Sequence, residues 1–264
     1  MKTSTPQMIA EAVGPIGWVT FNNPERHNAL SVAMWRALPE ILEQFEDDPL
    51  IRAIVLKGAG EKSFISGADI SEFGEQRSGT EAVKKYDDLA EGATRRLREC
   101  AKPTIAMIRG YCIGGGLGIA LACDMRIASD NSRFAIPAAR LGLGYRVDSL
   151  RMLIDAVGPA FAKEILITAR QFDAGEAETM GLMNRVVRVA DLDSFVADYC
   201  ERIAANAPLT IAAARTAIRD IADNGANFNR ATCDAMVDTC FASEDYVEGR
   251  QAFAEKRKPE FHGR

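Results

Sequence analysis

The sequence predicts an α/β fold, in which β-α units wound in one direction form a core and a run of helices follows. Three observations predict it. Residues 53–56 (Ala-Ile-Val-Leu) and 104–108 (Thr-Ile-Ala-Met-Ile) are short, continuous apolar runs of the kind a parallel sheet buries on both faces. Between them lie a polar, glycine-containing stretch at 74–79 and a helical segment ending near Cys100, so the order is strand, loop, helix, strand. From Leu192 onward strand patterns stop, and four helical segments follow near 192–206, 208–223, 228–241 and 243–257.

The elements can be justified in chain order. Residues 7–13 and 17–21 read as strands separated by Gly14 and Pro15, and Asn22, Asn23 and Pro24 break the chain after them. Ser31 is an N-cap for a helix that carries Met34, Leu38, Ile41, Leu42 and Phe45 on one side and ends near 47–49. Residues 125–128, 134–136 and 185–189 are further strands. Asp173 with Glu176 forms a D-x-x-E capping signal for a helix ending at Gly181. Ser243, Glu244 and Asp245 open the last helix, where acidic groups favour the positive helix end. The division expected is a core over 1–200 and a helical region over 201–264 that serves as a lid or an oligomer contact.

The composition is that of an ordinary globular protein, 47% hydrophobic and 26% charged. A net charge of −5 argues against nucleic acid as a partner, since no basic surplus exists to neutralise phosphates. Lys84, Lys85, Arg95, Arg96 and Arg98 share their segment with acidic residues and read as a solvated face. The six cysteines form no C-x-x-C pair and have no histidine at ligand spacing, so no metal is expected. Residues 1–10 lack the apolar core of a secretory signal and no stretch reaches the length of a membrane span, so a soluble, cytoplasmic protein is expected.

The segment 109–122, with glycines at 110, 114, 115, 116 and 118, follows one apolar strand and runs into an apolar helix. Glycines there leave the first N–H groups of the helix uncovered, with its dipole behind them, so an anion or a developing oxyanion can approach. The cluster does not fit G-x-G-x-x-G, because Ile119 stands where the third glycine is needed, and the chain contains no G-x-x-x-x-G-K-[ST]. The structural alternative is that the glycines only permit close packing of helix on strand. A second loop of small residues, Ser66-Gly67-Ala68-Asp69-Ile70, tips the balance: N–H groups at Ala68 and Gly115 together would form an oxyanion hole.

These segments, in this order, resemble the crotonase (enoyl-CoA hydratase/isomerase) family over nearly the whole chain. Residues 22–31 (Asn-Asn-Pro-Glu-Arg-His-Asn-Ala-Leu-Ser) resemble its early CoA-contacting turn, 66–70 its first oxyanion loop and 114–116 its second. Cys123-Asp124 with Arg126-Ile127-Ala128 is similar to its C-D-x-R-I-A segment, and Phe253 to Pro259 to its F-x-E-K-R tail. Any one motif is weak; five in order carry the resemblance. It implies a crotonase-like spiral of ββα units with a C-terminal helical trimerisation region, assembled as a homotrimer or a dimer of trimers. It also implies an acyl-CoA substrate and no separate cofactor, coenzyme A being part of the substrate. The thioester oxygen would sit between Ala68 and Gly115. Arg26 and Lys256 would face CoA phosphates, Phe253 the adenine or pantetheine portion, and Asn28, Ala29, Ser66, Asp69 and Ile70 would line the CoA path.

Hydratases of that family use two glutamates, at positions that correspond here to Gly118 and Ala138, and neither residue can transfer a proton. Decarboxylation or double-bond isomerisation is therefore expected in place of ordinary hydration. Tyr145 falls where a decarboxylase branch carries a tyrosine; with Arg146 it would supply a proton donor and a carboxylate-orienting group. Asp148 is the alternative base, or simply a helix N-cap. Remaining alternatives are a hydratase with non-standard acid–base groups and a weak or inactive acyl-CoA binder.

Overall fold

The structure, a computed structural model, describes residues 1–69, 72 and 80–264, so the stretch 74–79 and Ile70 lie outside it. The chain divides into two compact units, Met1–Ala197 and Asp198–Arg264.

In the first unit β1 (Met8–Val13) and β2 (Ile16–Phe21) form a hairpin, and α1 (Val32–Asp47) follows a turn. The Ser31 hydroxyl accepts from the Met34 N–H at 3.2 Å, and the predicted apolar face from Met34 to Phe45 is buried. Three repeats of strand, strand and helix come next. They are β3 (Ala53–Gly58), β4 (Ser63–Ile65) and α2 (Thr80–Arg98); β5 (Thr104–Ile108), β6 (Tyr111–Ile113) and α3 (Gly115–Ala122); and β7 (Met125–Ser129), β8 (Arg133–Ala135) and α4 (Ala138–Leu141). Each repeat lays its first strand in one sheet and its second in another. The larger sheet runs β1-β2-β3-β5-β7-β10 and is parallel from β2 onward, while the smaller runs β4-β6-β8-β9. The unit is completed by α5 (Val147–Thr168), β9 (Phe172–Asp173), α6 (Ala174–Thr179) and β10 (Arg185–Val187).

All five residues of β5 and the first four of β3 are buried, as strands covered on both faces must be. Phe21, Phe45, Phe64, Phe134 and Phe172 fill the core between the sheets and helices. The Asp173–Glu176 pair makes a complete capping box at α6.

The chain continues through α7 (Leu192–Ala204) into the second unit, which holds α8 (Pro208–Asn224), α9 (Arg230–Ala242) and α10 (Glu244–Glu255). Ser243 caps α10 by accepting from the Tyr246 N–H at 3.1 Å. No described helix is long and apolar enough to cross a membrane.

Two expectations need correcting. The strand foreseen at 185–189 stops at Val187, because Val189–Asp191 turns into a 3₁₀ segment. Asp148 is not a cap: Arg146 holds the N-cap position of α5, and Asp148 lies exposed within its first turn.

Candidate active site

The smaller sheet brings the two glycine loops together. β4 and β6 pair in parallel, Ser63 with Tyr111 and Ile65 with Cys112, so their C-terminal ends lie side by side. One strand runs into residues 66–69 and the other into 114–116. A Cβ built on Gly114 would lie 3.9 Å from the Gly67 Cα, and one built on Gly67 would lie 3.5 Å from the Ile113 carbonyl oxygen. The two loops are thus in backbone contact.

The three adjacent glycines have three different reasons to be there. Gly114 is the N-cap of α3 at φ 54° and ψ −115°, a conformation closed to side-chain-bearing residues, and its N–H donates to the Ala135 carbonyl at 2.8 Å. Gly116 is a packing residue, since a Cβ there would lie 2.3 Å from the Ile65 carbonyl oxygen. Gly115 lies between them as the first residue of α3, where an N–H has no intrahelical acceptor.

The direction of the Ala68 N–H follows from the bonds of its neighbours. The Leu30 N–H donates to the Gly67 carbonyl at 2.8 Å, and the Asp69 N–H donates to the Leu30 carbonyl at 2.9 Å. A trans peptide points its C=O and N–H in opposite directions, so tying the Gly67 carbonyl to Leu30 turns the Ala68 N–H away from Leu30. Among the described residues neither the Ala68 nor the Gly115 N–H has a protein acceptor.

The turn over 22–31 is built from a 3₁₀ segment, Pro24–Arg26, followed by two left-handed residues, His27 at φ 52° and Asn28 at φ 56°. Asn28 is fully buried. Its Oδ1 accepts from the Asn23 N–H at 3.0 Å, and its Nδ2 donates to the Ala59 and Ser63 carbonyls at 2.9 and 2.8 Å. The carboxamide is thus consumed inside the protein and is not offered to solvent, and Ala29 beside it is buried as well. The Ser66 N–H is taken by the His27 carbonyl, and its hydroxyl donates to the Arg26 carbonyl at 3.4 Å. Arg26 pairs with Asp69 through Nη1 at 3.0 and 3.3 Å, the guanidinium half-exposed and the carboxylate nearly buried.

Of the residues expected at the acyl group, Tyr145 is partly buried against the core, and desolvation pushes its phenol up to about 12. Arg146 is exposed and pairs with Asp87 at 2.9 Å and Glu91 at 3.7 Å, both from α2, so a substrate carboxylate would have to compete with them. Gly118, three residues into α3, faces open space, with nothing within 4 Å of an added Cβ, and Ala138 is buried at the start of α4. Phe253 and Lys256 belong to the second unit: Phe253 is 88% exposed, and Lys256 is the left-handed C-cap of α10. Among the described residues no group of His, Cys, Asp or Glu is arranged to hold a metal ion.

The enoyl-CoA hydratase/isomerase family matches residues 11–264. The chain belongs to this family. A short-chain-enoyl-CoA hydratase of Clostridium acetobutylicum is 36% identical over 253 residues, which cover 96% of each chain. A carnitinyl-CoA dehydratase of Proteus mirabilis is 35% identical over 244 residues, 90% of this chain and 91% of the relative. The crystal structure of an enoyl-CoA hydratase/carnithine racemase from Magnetospirillum magneticum superposes with a TM-score of 0.93 at 37% identity, covering 99% of this chain and 97% of that one. The fold is the crotonase spiral, as the motifs implied. Family membership makes the chain an enzyme of acyl-CoA chemistry and gives the paired loops their setting.

Leu30 and Ala135, whose backbone groups hold the two loops in place, were not singled out by the sequence. Backbone donors and acceptors leave no side-chain signature, and only the Asn-Ala-Leu-Ser context of residues 28–31 marks where Leu30 falls.

Proposed function

We propose that the enzyme stabilises the enolate of an acyl-CoA thioester between the N–H groups of Ala68 and Gly115 and uses it for decarboxylation or double-bond isomerisation. The observation that carries this reading is the backbone contact of two loops, each with an N–H that lacks an acceptor among the described residues. Such donors act where charge develops, and each contributes a factor of about 10²–10³ to the rate.

The preference against hydration rests on Gly118 and Ala138, the positions that correspond to the hydratase glutamates. In a malonyl-type thioester the carboxylate leaves as carbon dioxide, its bonding electrons pass to the α-carbon and thioester oxygen, and a proton then adds to the α-carbon. No strong base starts that sequence. Tyr145 is the proton donor in this reading, because an enolate is far more basic than a phenolate even when burial has raised the phenol. In the isomerase form, Asp148 carries the proton between α- and γ-carbons.

The names of the relatives favour a second reading, hydration with non-standard acid–base groups. Incubation with crotonyl-CoA, a 3-enoyl-CoA and methylmalonyl-CoA separates the two. Turnover of either of the last two above crotonyl-CoA hydration is expected; rapid hydration, indifferent to changes at Tyr145 and Asp148, would overturn the assignment. Absence of all turnover, and of deuterium uptake at the α-carbon of a saturated acyl-CoA, would mark a passive binder.

The second unit fits the proposed trimer. Its helices leave a groove of about 810 Å³ lined by Ala213, Val237, Phe241, Tyr246, Phe253 and Phe261. An apolar concavity of that size suits burial against a second copy of the chain.

A further inference from the structure

We infer that Asn28 is the positioning residue of the Ala68 donor, an inference that rests on reading Ala68 and Gly115 as the thioester's hydrogen-bond donors. Ala68 has no side chain to steer its own N–H. Its direction follows from the Gly67 carbonyl, held at 2.8 Å by the Leu30 N–H. The place of Leu30 in turn depends on the 23–30 turn, which reverses through His27 and Asn28 in the left-handed region.

One carboxamide spans that reversal. Asn28 Oδ1 takes the Asn23 N–H at the entry to the turn, and Nδ2 donates to the Ser63 carbonyl, on the first residue of β4, the strand that runs into Gly67 and Ala68. A second Nδ2 bond, to the Ala59 carbonyl, holds the segment that joins β3 to β4. Asn28 is therefore bonded to both partners of the Leu30–Gly67 contact, the turn and the strand, and it fixes their register without touching substrate. The residue type is suited to both demands. Asparagine tolerates the left-handed region better than other side-chain-bearing residues, and its carboxamide accepts on one side and donates twice on the other. Aspartate keeps the shape but has no donors, and glycine keeps the backbone but has no side chain.

Asn28→Gly and Asn28→Asp test this together, on the full chain with butyryl-CoA as the bound probe. The readouts are the infrared band of the thioester carbonyl, isotope-edited, and affinity by calorimetry. In the wild type the donors should pull the carbonyl band to lower frequency. Both variants should bind within about threefold of wild type, lose at least half of that shift, and lower kcat about 10²-fold on whichever substrate turns over, with KM changed far less. A merely structural role would not move the carbonyl band while binding persists. Retention of the full shift in both variants overturns the inference and leaves the Ala68–Gly115 reading standing, whereas absence of any shift in the wild type overturns both. Failure of both variants to fold, judged by circular dichroism, would make Asn28 a determinant of the fold alone and also overturn it.

Discussion

Around Ala68 and Gly115 the backbone is held from three directions: Leu30 donates to Gly67, Asp69 to Leu30 and Gly114 to Ala135, each at 2.8–2.9 Å. The neighbouring stretch 142–146 is different. Gly142, Leu143, Gly144 and Arg146 are exposed, Tyr145 alone turns in toward the core, and the α3 surface at Gly118 is open. The contrast teaches where precision is needed. A hydrogen-bond donor stabilises developing charge only within a few tenths of an ångström of its best position, so the donor side is tied by backbone bonds. In the mechanism proposed above, proton delivery to a strongly basic enolate is less demanding, and a single tyrosine on this exposed segment would meet it.

The harshest test of this contrast is Ala68→Pro. Proline removes the N–H, and the bridge with Leu30 uses the Gly67 carbonyl and the Asp69 N–H, so no internal bond is lost. A fall in kcat of about 10²–10³-fold is expected, with thermal stability changed by about 1 kcal/mol or less. A variant that melts like wild type and turns over like wild type would abolish the distinction between the two sides.

The second test adds to the bare side what the proposal says is missing. Gly118→Glu with Ala138→Glu should raise crotonyl-CoA hydration by about 10²-fold or more over wild type. The two changes differ in cost. Gly118→Glu enters open space on a helix and removes a glycine, so stability should hold or rise by about 0.5 kcal/mol. Ala138→Glu introduces a carboxylate at a buried position and should destabilise by about 1–3 kcal/mol, read by denaturant melts. No gain in hydration from a folded double variant would show that these positions do not face the acyl group.

What was legible in the sequence is what is local. The Ser31 cap and the Asp173–Glu176 capping box need only three residues of context, and both are present as read. The apolar runs of β3 and β5 are recognisable because both faces of those strands are buried. β4, β6 and β9 have three, three and two residues, too few to show alternation, yet the pairing of β4 with β6 is what joins the two loops. The burial of Asn28 escaped local reading for the same reason. An asparagine in a polar turn reads as solvent-facing, and only Ala59 and Ser63, more than thirty residues away, make it internal. The pairing of Arg146 with Asp87 of α2 is likewise invisible to local context.

The mildest test concerns the tyrosine on the proton-transfer side. Burial raises Tyr145 from 10.0 to about 12, so the folded protein favours the neutral phenol. Below pH 10 the phenol is neutral folded and unfolded, and its contribution to stability is complete. Between pH 10 and about 12 the unfolded chain ionises while the folded one does not, and stability falls by at most about 1.4 kcal/mol per pH unit. Tyr145→Phe should lack that alkaline component in melts compared with wild type, and its turnover at neutral pH should fall about 10- to 10²-fold if the phenol delivers the proton. Because an ordinary tyrosine ionises near 10, wild-type turnover that stays level beyond that pH and falls only toward about 12 is the sign of the raised phenol at work. Should Tyr145→Phe lose the alkaline step and keep full turnover, the ring is a wall of the pocket, and proton delivery passes to Asp148 in the first turn of α5.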